Sequence, residues 1–100
     1  MANASEHYAI RQLPVVPNSW TPVVVPINCF SFSVRCDQGA IYICTDQADA
    51  STQDTLPQGA QECVDAVWGG GGGCRFEVGS TVAYLKSAGG NLTAILKFVF

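Results

Sequence analysis

In Phe30-Ser31-Phe32-Ser33-Val34-Arg35-Cys36, apolar and polar residues alternate without a break. Successive side chains of a β-strand point to opposite faces, so this spacing puts Phe30, Phe32, Val34 and Cys36 on one side of an extended segment. A helix would scatter the same residues around its axis. The two-residue period returns in residues 92–100, where Leu92, Ala94, Leu96, Phe98 and Phe100 oppose Thr93, Ile95, Lys97 and Val99. The second face of that segment is also partly apolar, which predicts a strand in the middle of a sheet.

Between these runs the chain is punctuated by turn formers. Asp37-Gln38-Gly39 reads as a tight turn into residues 40–45 (AIYICT), so 30–36 and 40–45 form a candidate hairpin. Residues 46–58 read as a polar loop with three aspartates, closed by the turn Leu56-Pro57-Gln58-Gly59. Residues 60–68 (AQECVDAVW) fit a strand or one helical turn, and the strand is favoured because strands flank it. Gly69 to Gly73 is a run of five glycines, the composition of a flexible loop. Residues 75–78 and 81–87 read as strands, and Ala88-Gly89-Gly90-Asn91 as a hairpin loop. Seven or eight short strands and no helix pattern predict an all-β fold, a single small antiparallel β-sandwich or jelly roll.

Four of the five prolines fall between Pro14 and Pro26. Proline fixes φ and cannot donate to a ladder, so this stretch is expected to be extended, with short strand pieces at a sheet edge. Residues 1–27 are therefore read as an extended Pro-rich N-terminal arm with the first strand pieces, and residues 28–100 as the β-sandwich domain. Within the arm, HYAIRQL can pair with a sheet, and an arm that cannot bury itself often reaches a neighbouring subunit. Tyr8, Ile10, Val23 and Val25 are candidate interface residues on that reading.

Charged residues make up only 13% of the chain, about half the usual share. A small monomer normally solvates its surface with charge, whereas interface cores are depleted in it. The composition therefore leans toward an assembled subunit. Arg11, Arg35, Arg75, Lys86 and Lys97 are scattered and the net charge is −3, which argues against a nucleic-acid partner. No stretch approaches the ~20 apolar residues of a membrane helix, and residues 1–13 show no apolar core of an export signal. The expectation is a protein made in a cytosol, with no membrane partner.

The chemistry-bearing residues are few. Five cysteines without a C-x-x-C spacing give no zinc or thioredoxin pattern, and buried free thiols are expected. The glycine run lacks the lysine and the helix of a phosphate loop. His7 is the single histidine and lies in the arm. Asp46, Asp49 and Asp54 do not follow the spacing of a calcium loop. No catalytic residue, metal ligand or cofactor is assigned, and an enzyme is not expected. Trp20 and Trp68 flank flexible or Pro-rich segments. A core lid, a subunit contact and a sugar-stacking platform all remain open for them.

Gly39-Ala40-Ile41-Tyr42-Ile43, the Asp-rich loop, Leu56-Pro57-Gln58-Gly59 and Tyr84-Leu85-Lys86-Ser87-Ala88-Gly89-Gly90 together resemble elements of small all-β virion proteins of tailed bacteriophages. The likeness is to head decoration (cement) proteins and related head or tail accessory proteins, and covers about two thirds of the chain. The resemblance implies a non-enzymatic structural role in the virion, after synthesis in the host cytoplasm. Its partner would be the major capsid protein or another virion protein, with the chain bridging neighbouring capsomers as a dimer or trimer. A tail, head–tail adaptor or spike-base protein is the alternative within that class. A carbohydrate-binding β-sandwich, stacking sugars on Trp20, Trp68 or Tyr84, is the alternative outside it.

Overall fold

The computed structural model describes residues 8–45, 53–66 and 75–100. They contain eight strands: β1 (Tyr8–Val15), β2 (Thr21–Val24), β3 (Ser31–Arg35), β4 (Ile41–Cys44), β5 (Asp54–Leu56), β6 (Gln61–Asp65), β7 (Thr81–Ser87) and β8 (Leu92–Val99). Two four-stranded sheets have the orders β1-β8-β3-β6 and β2-β7-β4-β5. The pairings are nested: β1 with β8, β2 with β7, β3 with β6 and β4 with β5, all antiparallel. This is the pattern of one long hairpin, its tip between β4 and β5, wrapped over itself so that successive rungs alternate between sheets. The β3·β8 and β4·β7 ladders then close each sheet. The fold is an all-β sandwich with jelly-roll topology.

The alternation read from the sequence decides what is buried. Phe32, Val34 and Cys36 from β3 and its exit, and Ala94, Leu96 and Phe98 from β8, face Val23, Ile41, Ile43, Ala83 and Leu85 of the other sheet. Phe32 is 1% exposed, and its ring lies 6.0 Å from that of Phe98 and 6.1 Å from that of Phe76. As its two apolar faces predict, β8 is an inner strand, between β1 and β3. Cys29 and Cys36 are buried free thiols and Cys44 is buried as well, whereas Cys63 is exposed because its position on β6 faces outward.

Three expectations are corrected. Residues 30–36 and 40–45 do not form a hairpin, because β3 and β4 lie in different sheets, and β7 and β8 are likewise split. A turn sequence fixes where the chain reverses. It does not fix whether the two arms then share a ladder or face each other across the core. Residues 75–78 form no strand; a turn at Val78 and Gly79 is closed by Ser80 N–H donating to Glu77 O at 3.0 Å. Inside the expected 46–58 loop, Asp54–Leu56 form β5 and pair with β4.

Residues 8–27 are built into both sheets. β1 and β2 are edge strands, and Val15, Val23 and Val25 contribute to the core. Val24, between Val23 and Val25, alternates outward, and the register against β7 shifts there, skipping Val82. Residues 1–7, 46–52 and 67–74, with His7, Trp68, Asp46, Asp49, Cys74 and the glycine run, lie outside the described residues.

Candidate functional site

Because the nested pairing alternates sheets, four connections gather at one end of the sandwich: β1–β2 (residues 16–20), β3–β4 (36–40), β5–β6 (57–60) and β7–β8 (88–91). Three of them carry the segments singled out in the sequence, DQGA, PQGA and AGGN. The four turns are locked to one another by backbone bonds. Ser87 N–H donates to Val16 O at 3.0 Å, Gly59 N–H to Cys36 O at 2.9 Å and Ala88 N–H to Ala40 O at 3.1 Å.

Side chains complete the lock. Ser87, the buried polar residue of the described core, accepts from Gly89 N–H at 3.0 Å, and its hydroxyl donates to Gly90 O. Gln38 accepts from Thr93 N–H at 2.8 Å, and Gln58 donates from Nε2 to Asp37 O at 2.9 Å. Gly39 lies against Leu92, close enough that a Cβ there would meet Leu92 Cδ1 at 3.2 Å. Gly59 closes its turn at φ +80°, a conformation that disfavours side chains.

The resulting surface is exposed, internally hydrogen-bonded and nearly free of charge. Asp37 is the one charged residue in these four turns, and Arg35 pairs with it at 3.0 Å. A rigid surface of small and amide side chains presents little to desolvate and little to order on binding. Nothing in it resembles a catalytic constellation, and among the described residues no group of three or more His, Cys, Asp or Glu side chains gathers for a metal ion.

The structure separates the residues nominated from the sequence. Val23 and Val25 point into the core at 0% and 2% exposure, so they do not form an outer interface surface. Tyr8 and Ile10 stand on the outer face of β1, each about half exposed. Lys97 Nζ lies 4.6 Å from the Tyr8 ring centroid. Trp20 is half-buried on the outer face of the other sheet, where Lys86 Nζ lies 4.7 Å from its ring centroid and 5.8 Å from that of Tyr42. Trp20 is thus not a buried core lid, and Lys86 covers one face of its ring. Trp68 lies outside the described residues.

Two further features are local. A cleft of about 390 Å³ opens between edge strands β1 and β2, lined by Leu13, Pro22, Val23, Pro26, Leu96 and Phe98, with Arg11 at its rim. Burial pushes the Cys29 thiol above its ordinary pKa, while its backbone hydrogen bonds and nearby Arg75 pull the other way. The sequence signal missed for this end was the pair of amides, Gln38 and Gln58, whose roles depend on which turns the topology brings together. Among the described residues, no helix is long and apolar enough to cross a membrane. Compared with family models, with curated proteins and with solved structures, the chain matches none.

Proposed function

We propose that this protein is a non-enzymatic structural protein of a tailed-phage virion, binding the outer capsid lattice as a decoration protein that stabilises the head. The observation that carries the reading is the turn-bearing end. Three of the four segments that resemble virion accessory proteins contribute their turns to one exposed, prelocked and almost uncharged surface there. Charge depletion of this kind suits the centre of a protein interface. The jelly roll is compatible with the role, although by itself a fold of this type serves many functions. A low affinity per copy suffices, because contacts repeated across a lattice add through multivalency.

The test is quantitative mass spectrometry and immunogold labelling of tailed-phage particles purified from the source of this sequence. Hundreds of copies on the head support decoration. A few copies at one vertex move the protein to the tail, head–tail adaptor or spike base. Absence from the particle, with no binding to emptied capsids, overturns the reading. Tyr84 and Pro22 beside the Trp20–Lys86–Tyr42 stack leave a carbohydrate-binding module as the competing class, and a tryptophan-fluorescence response to a glycan panel would favour it.

A further inference from the structure

Four strands end the two sheets, and they are not equally protected. β2 has four residues, Pro22 and a bulge; β5 has three residues; β6 has five and carries Glu62 and Asp65. Short strands, prolines, bulges and charges are the usual means of blocking an edge. β1 has eight residues, and its one proline, Pro14, lies near its end. Among the described residues, nothing pairs with the outer edge of Tyr8 to Leu13.

The backbone parity of this edge can be worked out. Phe30 N–H donates to Val99 O at 3.0 Å, so the odd-numbered residues of β8 face β3 and the even-numbered ones face β1. With Ala9 opposite Phe98, Arg11 opposite Leu96 and Leu13 opposite Ala94, the odd residues of β1 bond to β8. Tyr8, Ile10, Gln12 and Pro14 then turn their backbone groups to the free edge. Two observations agree. Pro14 has no N–H to offer a ladder. Arg11 Nη1 donates to Ile10 O at 3.1 Å, a carbonyl the ladder leaves free.

We propose that the β1 edge is a self-association site, at which the β1 strands of two copies pair antiparallel about a two-fold axis through Ile10. This deepens the assembled-subunit part of the function proposed above and rests on it for nothing else. In this register Ile10 exchanges two backbone hydrogen bonds with the partner's Ile10. Tyr8 exchanges two with the partner's Gln12, and Gln12 two with the partner's Tyr8. Ala9 lies opposite the partner's Arg11, a small residue beside a long one. The two Lys97 residues fall three strand spacings apart, on the order of 14 Å, beyond a Debye length. A one-residue shift of the axis to Arg11 would oppose two guanidinium groups, and a shift to Gln12 would set Pro14 against Ile10. The chosen register is self-complementary, as a closed two-fold interface requires.

The experiment is sedimentation equilibrium of the full chain under reducing conditions, from about 1 µM to about 1 mM, the window of a weak to moderate dimer. A monomer–dimer equilibrium is expected. Ile10→Pro removes an N–H that β8 does not use, so folding should survive. The dissociation constant should rise on the order of 100-fold, each lost hydrogen bond counting roughly fivefold and the lost side-chain contact the rest. If Ile10→Pro does not fold, Ile10→Lys opposes two ammonium groups at the axis and should also dissociate the dimer. A wild-type monomer throughout the range overturns the proposal, whether or not the chain binds virions. So does a dimer unmoved by either variant. Species that keep growing with concentration would instead indicate head-to-tail pairing of β1 with β6, and would equally overturn it. Virion binding that persists in a monomeric Ile10→Pro separates this site from the lattice-binding function.

Discussion

By alternation alone, Phe30 and Phe32 are equivalent, two residues apart on one face. The structure makes them unequal, and replacing each by alanine tests that. Phe32 is 1% exposed and its ring meets those of Phe76 and Phe98. Truncation removes on the order of 140 Å² of buried apolar surface, about 3.5 kcal/mol at 25 cal/mol per Å². The two ring contacts add to this and partial collapse of the cavity subtracts, which leaves about 4 kcal/mol. Phe30 precedes β3, is half-buried, and has the Arg75 guanidinium 4.9 Å from its ring centroid. Half the burial and one exposed cation–π contact come to roughly 1–2 kcal/mol. Its backbone bonds, to Val99 O and from Ala66 N–H, survive the substitution.

The assay is equilibrium urea unfolding in reductant, followed by tryptophan fluorescence and far-UV circular dichroism. Phe32→Ala should lower the midpoint far more than Phe30→Ala at an unchanged slope. In thermal melts its shift should be roughly 15–30 °C, at about 4–8 °C per kcal/mol. Against a total stability of about 5–15 kcal/mol, Phe32→Ala approaches the limit of folding. Phe32→Leu, costing about 1.5 kcal/mol, keeps the comparison measurable. Equal losses at the two positions, or a larger loss at Phe30, would refute the assignment of Phe32 to the centre of the core.

Further outcomes are expected from the same structure. Ser87→Ala leaves Gly89 N–H and Gly90 O without their side-chain partner and should cost about 1–2 kcal/mol in urea unfolding. Gly59→Ala, at φ +80° with open space around the Cβ, should cost about 1 kcal/mol through backbone strain alone, read by the same assay. Among the described thiols, Cys63 should react with iodoacetamide in the native state, while Cys29 and Cys36 should wait for unfolding; peptide mapping of the alkylated protein reads this directly. The folded-state pKa of Cys29 is raised, so its contribution to stability is full below the unfolded thiol pKa and is lost as pH rises through the folded value. Cys29→Ala should therefore flatten the alkaline part of the stability-against-pH curve.

Local pattern carried the strands and their faces. The alternation in residues 30–36 and 92–100 located β3, β8 and most of the core, because one side of each strand had to be buried. Ladder partners were less legible. Asp37-Gln38-Gly39 and Ala88-Gly89-Gly90-Asn91 are good turns in either arrangement, and the choice between a hairpin and a crossing to the other sheet depends on how the whole chain is nested. β5 was hidden because three residues, Asp-Thr-Leu, are too few to show a period. Val23 and Val25 looked available to a partner because prolines on either side suggested an arm. Their spacing of two already placed them on one face, and the second sheet had no other edge strand to close it there. The turn-bearing end was visible only as separate motifs; the bonds from Gln38 and Gln58 that join them span 55 and 21 positions in sequence.

The two proposed surfaces constrain each other. The four turns lie at one end of the strands, and the β1 edge runs along their length. Antiparallel pairing of two β1 strands reverses one copy relative to the other, so the dimer would hold its two uncharged ends at opposite extremes of the strand axis. Such a particle cannot plant both ends on one patch of a surface. It can lie along the surface and join two separated patches, which is the geometry needed to bridge neighbouring capsomers. An Ile10→Pro variant would then still bind through a single end but without the bridge. If the protein decorates heads as proposed, virions carrying this variant should keep full occupancy at high protein concentration and lose any resistance to heat that the wild-type protein gives them. Full protection from a demonstrably monomeric variant would show that bridging takes place by another route, and that the β1 edge plays no part in stabilising the head.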